Sequence, residues 1–161
     1  MYDDYGNGTT GALIALVTFL TFVAVYVVVL IAAYVVMALA LSRFFRKVGV
    51  EPWIGWVPFY RYWKWLEVGG QPGWLSVLLV VPYASIATVV FLAIGMHRTG
   101  LAFRKDGSWV VLGIFLPFVW CFLLARRSEV YDPRLITAAG FGPPRAGYGA
   151  VPSTGSAGPA V

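Results

Sequence analysis

The sequence predicts an all-α integral membrane protein with three transmembrane helices and an interfacial or re-entrant amphipathic helical segment between the first and second. Three observations predict it. The 161 residues are 60% hydrophobic and only 12% charged, against roughly half apolar and a quarter charged in soluble domains. A compact domain of this length still leaves ~30% of its chain surface facing solvent, so the excess apolar surface needs lipid as that solvent. The formal charge of +5 sits in short basic clusters beside long apolar runs, which is the membrane pattern rather than the nucleic-acid one.

Residues 1–10 are polar and acidic, without structural period, and read as a flexible end. Residues 11–41 carry no charge and exceed the ~20 apolar residues that cross a ~30 Å hydrocarbon core. The acidic start and the length favour a retained first span over a signal peptide. The basic stop Arg43, Arg46 and Lys47 follows, opening a loop over 42–73. Residues 74–96 form the second run, with Pro82 inside it to kink or break a helix. Residues 97–108 are a polar loop, and 109–125, containing Pro117, are the third run, near the lower limit for a span. Residues 126–161 form the tail, which from about 138 is rich in Gly, Pro, Ala and Ser and is expected to be disordered. Basic residues of the 42–73 loop and the tail share one side. Only Arg98, Arg104 and Lys105 oppose them, so the N-terminus is expected outside and the C-terminus in the cytoplasm of a multi-pass cell-membrane protein.

The segment 51–70 is dense in aromatic residues, while Arg61 and Lys64 balance Glu51 and Glu67. Zero net charge argues against nucleic acid, which needs a basic track beside its stacking platforms. Pro58 is placed to start a helix. Phe59, Tyr62, Trp63 and Leu66 then share one face, opposite Arg61, Lys64 and Glu67. Lys64 and Glu67 are spaced to pair, and Gly69, Gly70 and Pro72 stop the helix. This piece is too short and charged to span and is expected in the interface. Residues 51–57, apolar all round, are expected to dip as a re-entrant turn.

The predicted spans contain no Asp, Glu, Lys or Arg, unlike the ion pathways of pumps and transporters. His97 is the only histidine and Cys121 the only cysteine, so no disulfide within the chain and no cysteine-based metal cluster can form. No fingerprint of a zinc protease, a nucleophile elbow or a phosphate-binding loop occurs. No enzyme, metal or cofactor is expected. Ala84, Ser85 and Thr88 make a small-residue face suited to helix packing.

Several motifs resemble a family of small multi-spanning bacterial membrane proteins, frequent in actinobacteria and grouped as a domain of unknown function. Its members are often labelled "large exoprotein", and similar segments accompany signal peptidase I. The pattern Lys-x-Gly, Trp, Pro-x-Tyr-Asn reads here as Lys47, Gly49, Trp53, Pro58, Tyr60 and Arg61, with Arg61 in place of Asn. Gly-x-Pro-Gly-Trp reads as Gly70, Pro72, Gly73 and Trp74. Ala-Phe-Gly-Lys reads as Ala102 to Lys105, with Arg104 in place of Gly, and Gly113 to Phe118 complete the match. The resemblance covers about residues 44–131. It implies an integral membrane protein with this helical layout and implies no activity.

Together these features point to a non-enzymatic accessory or partner subunit of the cell envelope. Its partners would be the lipid bilayer and another membrane protein or itself, with no nucleic acid. The alternative is an oligomeric channel or transporter subunit lined by Thr18, Thr21, Tyr26, Tyr83, Ser85 and Thr88.

Overall fold

In the computed structural model the described residues are 4–81 and 85–150, and among them every regular element is helical. The elements are α1 (Asp4–Val48), a 3₁₀ segment (Pro52–Trp56), α2 (Tyr60–Val68), a second 3₁₀ segment (Gly73–Val80), α3 (Ser85–Ala102), α4 (Trp109–Phe115), α5 (Pro117–Leu124) and α6 (Arg134–Ala138). The chain divides into two units, Met1–Val36 and Met37–Val161.

The first unit is helical throughout its described part. α1 extends beyond the expected 11–41, starting at Asp4 within the end expected to be flexible and running on through the basic stop to Val48. Over Thr9–Val48 it is long and apolar enough to cross a membrane. Its large side chains are exposed on every side, from Leu13 and Phe19 to Phe22 and Val28. Thr18 and Thr21 donate to the carbonyls of Ile14 and Val17, each at 2.8 Å, so each hydroxyl is satisfied by its own helix.

The second unit is punctuated by prolines. A residue before proline is pushed out of the α region into extended backbone. Glu51 and Val57 follow this logic: Glu51 has ψ 126° ahead of Pro52, and Val57 has ψ 114° ahead of Pro58. Val81, ahead of Pro82, has ψ 119°, and Leu116, ahead of Pro117, has φ −134° and ψ 65°. The apolar runs 74–96 and 109–125 are therefore not single helices.

Both runs instead fold back on themselves, and among the described residues α1 is the one helix long and apolar enough to cross a membrane. In the first, Gln71 donates through Nε2 to the Phe91 carbonyl (3.1 Å) and Thr88 Oγ1 donates to the Leu75 carbonyl (3.1 Å). The segment leading away from Gly69 is thus antiparallel to α3, which returns to Gly95 beside Gly69. In the second, α4 packs on α5 and the two ends meet. Lys105 pairs with Glu129 at 2.9 Å, and the Asp132 amide donates to the Ala102 carbonyl at 2.9 Å. A helix crossing ~30 Å of hydrocarbon between Lys105 and Glu129 would hold them far apart.

The core is aromatic. Phe44 of α1 lies 5.6 Å from Trp120, 6.4 Å from Trp65 and 6.4 Å from Phe103 between ring centroids. Such pairs contribute ~0.5–1.5 kcal/mol each beyond burial. The expected disordered tail is corrected over 139–150. The Arg145 amide donates to the Glu67 carbonyl and the Tyr148 amide to the Val48 carbonyl, both at 2.8 Å, and Ala146 packs on the core. Glycine lets this coil run close: Gly147 has φ 79°, and a Cβ there would overlap the Val48 carbonyl.

Candidate functional site

Helix α1 ends at Lys47-Val48-Gly49. Gly49 takes φ 83°, and the Val50 amide returns to the Phe45 carbonyl at 2.8 Å. This is the bond of a left-handed helix stop, which glycine favours. The chain then turns back along α1. A Cβ on Gly55 would sit 2.7 Å from Ser42 Oγ and 3.0 Å from the Ala38 carbonyl. Those residues lie six to ten positions before Val48, or roughly 9–15 Å back along the helix. The Pro52–Trp56 turn is therefore re-entrant relative to the end of α1.

At Phe59 the backbone is strained. Phe59 has φ 62° and ψ −51°, and the Tyr60 amide donates to the Pro58 carbonyl at 2.7 Å. That is the rarer, strained γ-turn, and it leaves the Phe59 ring exposed. Helix α2 consequently starts at Tyr60 rather than Pro58, and its buried face is not the expected 59/62/63/66 set. It buries Trp65, Leu66 and Val68, because Trp65 is drawn onto Phe44 and Trp120. Lys64 and Glu67 do pair, at 2.7 Å. Burial works against the Lys64 charge, but the Glu67 carboxylate more than offsets it, and the Lys64 pKa lies above its ordinary value.

The helix stop that Gly70 provides has the same form as the first. Gly70 has φ 75°, and the Gln71 amide donates to the Leu66 carbonyl at 2.9 Å. Trp63 donates its indole N–H to Glu67 at 2.7 Å and covers Gly73 so closely that a Cβ there would overlap it. A third stop of this kind carries Arg104 at φ 57°, with the Lys105 amide bonded to the Gly100 carbonyl at 3.0 Å.

The motif residues divide into two groups. Gly49, Trp53 and Tyr60 line one cleft of about 340 Å³ together with Glu51, Lys64 and Arg145. Within it the Trp53 and Tyr60 rings stand 6.2 Å apart, the Lys64 ammonium lies 5.7 Å from the Tyr60 ring centroid, and Trp53 donates to the Glu51 carboxylate. Lys47, Pro58, Arg61, Gly70, Pro72 and Trp74 lie outside that cleft. Lys47 donates to the Arg126 carbonyl at 3.2 Å, and Trp74 is exposed. Of the small-residue set, Thr88 is buried within the second unit. Ala84 lies outside the described residues, as does the side chain of Ser85. His97 packs edge-on against Phe141 at 6.4 Å.

The 53–132 stretch holds the Phe59 turn, the stops at Gly70 and Arg104 and the contacts that fold both apolar runs back. Residues 53–132 match the family of unknown function DUF5684. The DUF5684 match takes in Trp53, the strained Phe59 turn, α2 and α3 to α5, and it agrees with the unknown-function grouping implied by the motifs. Lys47 and Gly49 precede the DUF5684 stretch and Arg145 follows it, so the cleft is built partly from outside. No curated protein and no solved structure matches the chain.

A second, apolar groove was not legible in the sequence. It is lined by residues from four segments, including Met37, Tyr62, Leu92 and Ile114, and no single run of sequence carries its pattern.

Proposed function

We propose that this protein is an integral membrane protein of the bacterial envelope, of the actinobacterial kind to which the motifs point, acting as a non-enzymatic accessory or partner subunit. The observation that carries the reading is the gathering of polar ends in the second unit. Lys105 pairs with Glu129, and Lys47 bonds the Arg126 carbonyl. All twelve Lys and Arg residues lie from Arg43 onward, and Asp3 and Asp4 precede the uncharged run. By the positive-inside rule the N-terminus is outside and the second unit is cytoplasmic.

In this reading α1 makes the crossing, and the two hairpins enter the bilayer from the cytoplasmic side and return. Broken helices at membrane depth are tolerated where protein satisfies their backbone. This arrangement also removes the difficulty of a basic 97–108 loop on the outer side. The exposed Trp53, Trp56, Tyr60 and Trp74 then serve as interfacial anchors. Of the residues that the channel alternative would set along a lumen, Thr88 is buried within the second unit and bonded to the Leu75 carbonyl, which weighs against that alternative.

The test is labelling with a membrane-impermeant maleimide in a Cys121→Ala background. Cysteines introduced at Lys105 and Glu129 are expected to react only after the cytoplasmic face is opened. Labelling of the two from opposite faces would overturn the topology. Crosslinked capture from native membranes is expected to return a reproducible partner, whereas recovery as a lone conducting oligomer would favour the channel.

A further inference from the structure

Residues 141–148, Phe-Gly-Pro-Pro-Arg-Ala-Gly-Tyr, form no regular element, yet they lie along the second unit as a bound peptide would. Phe141 packs on two residues of α3. His97 meets its ring edge-on at 6.4 Å, and the Arg98 guanidinium carbon lies 4.8 Å from its centroid. Pro144 is buried. The Arg145 amide donates to the Glu67 carbonyl and the Tyr148 amide to the Val48 carbonyl, both at 2.8 Å. Those carbonyls lie in the last turns of α2 and α1, where the helix supplies no α-helical donor.

The glycine helix stops make room for this segment. A Cβ on Gly49 would overlap the Tyr148 ring, and one on Gly70 would lie 3.1 Å from the Gly142 carbonyl oxygen and 3.3 Å from that of Pro143. The contacts repeat every three residues. Phe141, Pro144 and Gly147 each meet the body, and the amides that donate are also three apart. Three residues per turn is the period of polyproline II, the form in which Pro-rich segments dock in aromatic-lined grooves. The segment keeps that period as far as Gly147, which turns out of it at φ 79°. Of these eight residues only Pro144 is buried, and a stretch that buries so little opens readily. Much of the seat, from Glu67 and Gly70 to Arg98, lies in the 53–132 stretch, and the segment lies outside it.

We propose that this seat is a docking site for an extended partner segment of the form aromatic-x-x-Pro-x-x-Gly, and that 141–148 fills it within its own chain until such a segment displaces it. The inference rests on the partner-subunit reading and supplies the chemistry of the partner. Displacement also takes Arg145, Ala146 and Gly147 from the wall of the cleft that holds Trp53, Tyr60 and Lys64.

The test uses the full chain in detergent and a capped fluorescent peptide with the sequence of residues 141–148. Phe141→Ser with Gly147→Val releases the chain's own segment, because a Cβ at Gly147 would overlap the Val48 carbonyl. The peptide is expected to bind this variant at least about tenfold more tightly than the parent, since a filled site loses apparent affinity in proportion to its open fraction. A peptide carrying Phe141→Ser and Pro144→Ser is expected not to bind. Arg98→Gln in the released protein is expected to weaken binding about two- to fivefold, the loss of one cation–π contact. On the unaltered chain, excess peptide is expected to speed hydrogen exchange at the Arg145 and Tyr148 amides several-fold. That measurement decides the matter if the released variant misfolds. No binding to a released protein that still unfolds cooperatively, equal binding of the substituted peptide, or unchanged exchange at the two amides would each overturn the proposal. A dimer that excess peptide splits into single copies would assign the seat to a second copy instead. Peptide binding with no partner captured from native membranes would overturn the subunit reading alone.

Discussion

Arg104→Gly is expected to stabilise the fold, and one dihedral sets the size of the gain. Arg104 sits at the end of α3 with φ 57°. Its amide donates to the Leu101 carbonyl at 2.9 Å, and the next amide, of Lys105, to the Gly100 carbonyl at 3.0 Å. The left-handed conformation costs an ordinary L-residue roughly 1–2 kcal/mol. Glycine removes that cost but adds roughly 0.5–1 kcal/mol of unfolded-state entropy. The Arg104 side chain is exposed, so its removal sacrifices no burial, and the net gain is about 0.5–1 kcal/mol. At ~2–4 °C per kcal/mol for a chain of this size, the melting temperature rises by about 1–4 °C. The assay is reversible thermal unfolding in detergent, followed by tryptophan fluorescence. Gly70→Ala is the opposing control. Gly70 has φ 75°, and an added Cβ would lie 3.1 Å from the Gly142 carbonyl, so it is expected to lose about 1–2 kcal/mol. An Arg104→Gly protein that melts at or below the parent, or a Gly70→Ala protein that melts no lower, would refute the reasoning.

Two further predictions use the same assay. Trp65→Ala removes a ring packed between Phe44 and Trp120 and is expected to cost about 3–5 kcal/mol, whereas Trp53→Ala, at an exposed position, is expected to stay within about 0.5 kcal/mol; equal losses would sink the assignment of the core. Burial pushes the Tyr131 hydroxyl's pKa above its ordinary value, so its contribution is present below about pH 10 and is lost as pH rises beyond that. Tyr131→Phe is expected to shrink the fall in melting temperature between pH 8 and pH 10.5, and an unchanged fall would refute it.

The stop of α2 was legible because it depends on one residue type at one place: Gly70 ends the helix in the left-handed conformation, and the Lys64–Glu67 pair follows from spacing alone. The stops at Gly49 and Arg104 were not read, the first because the basic cluster at 43–47 masked it and the second because arginine rarely takes that conformation. The phase of α2 was not legible. Pattern counting treated Phe59 as helical, but the γ-turn at Phe59 delays the helix to Tyr60, and the pull of Trp65 toward Phe44 and Trp120 chose the buried face. The two clefts escaped for a related reason, since each combines residues of α2 with segments distant from it in sequence.

By itself the sequence determined the material of this protein: an uncharged helical run long enough to cross a bilayer, the helical class of the rest, and the glycine stop at the end of α2. These are local properties of composition and backbone sterics. Only the tertiary structure brought Thr88 back to Leu75 and Glu129 back to Lys105, so that the apolar runs fold back on themselves. Hydropathy measures how apolar a run is and carries no direction. A crossing helix and a returning hairpin have the same composition, and they were separated by contacts between distant residues, above all Lys105 with Glu129 and Thr88 with Leu75.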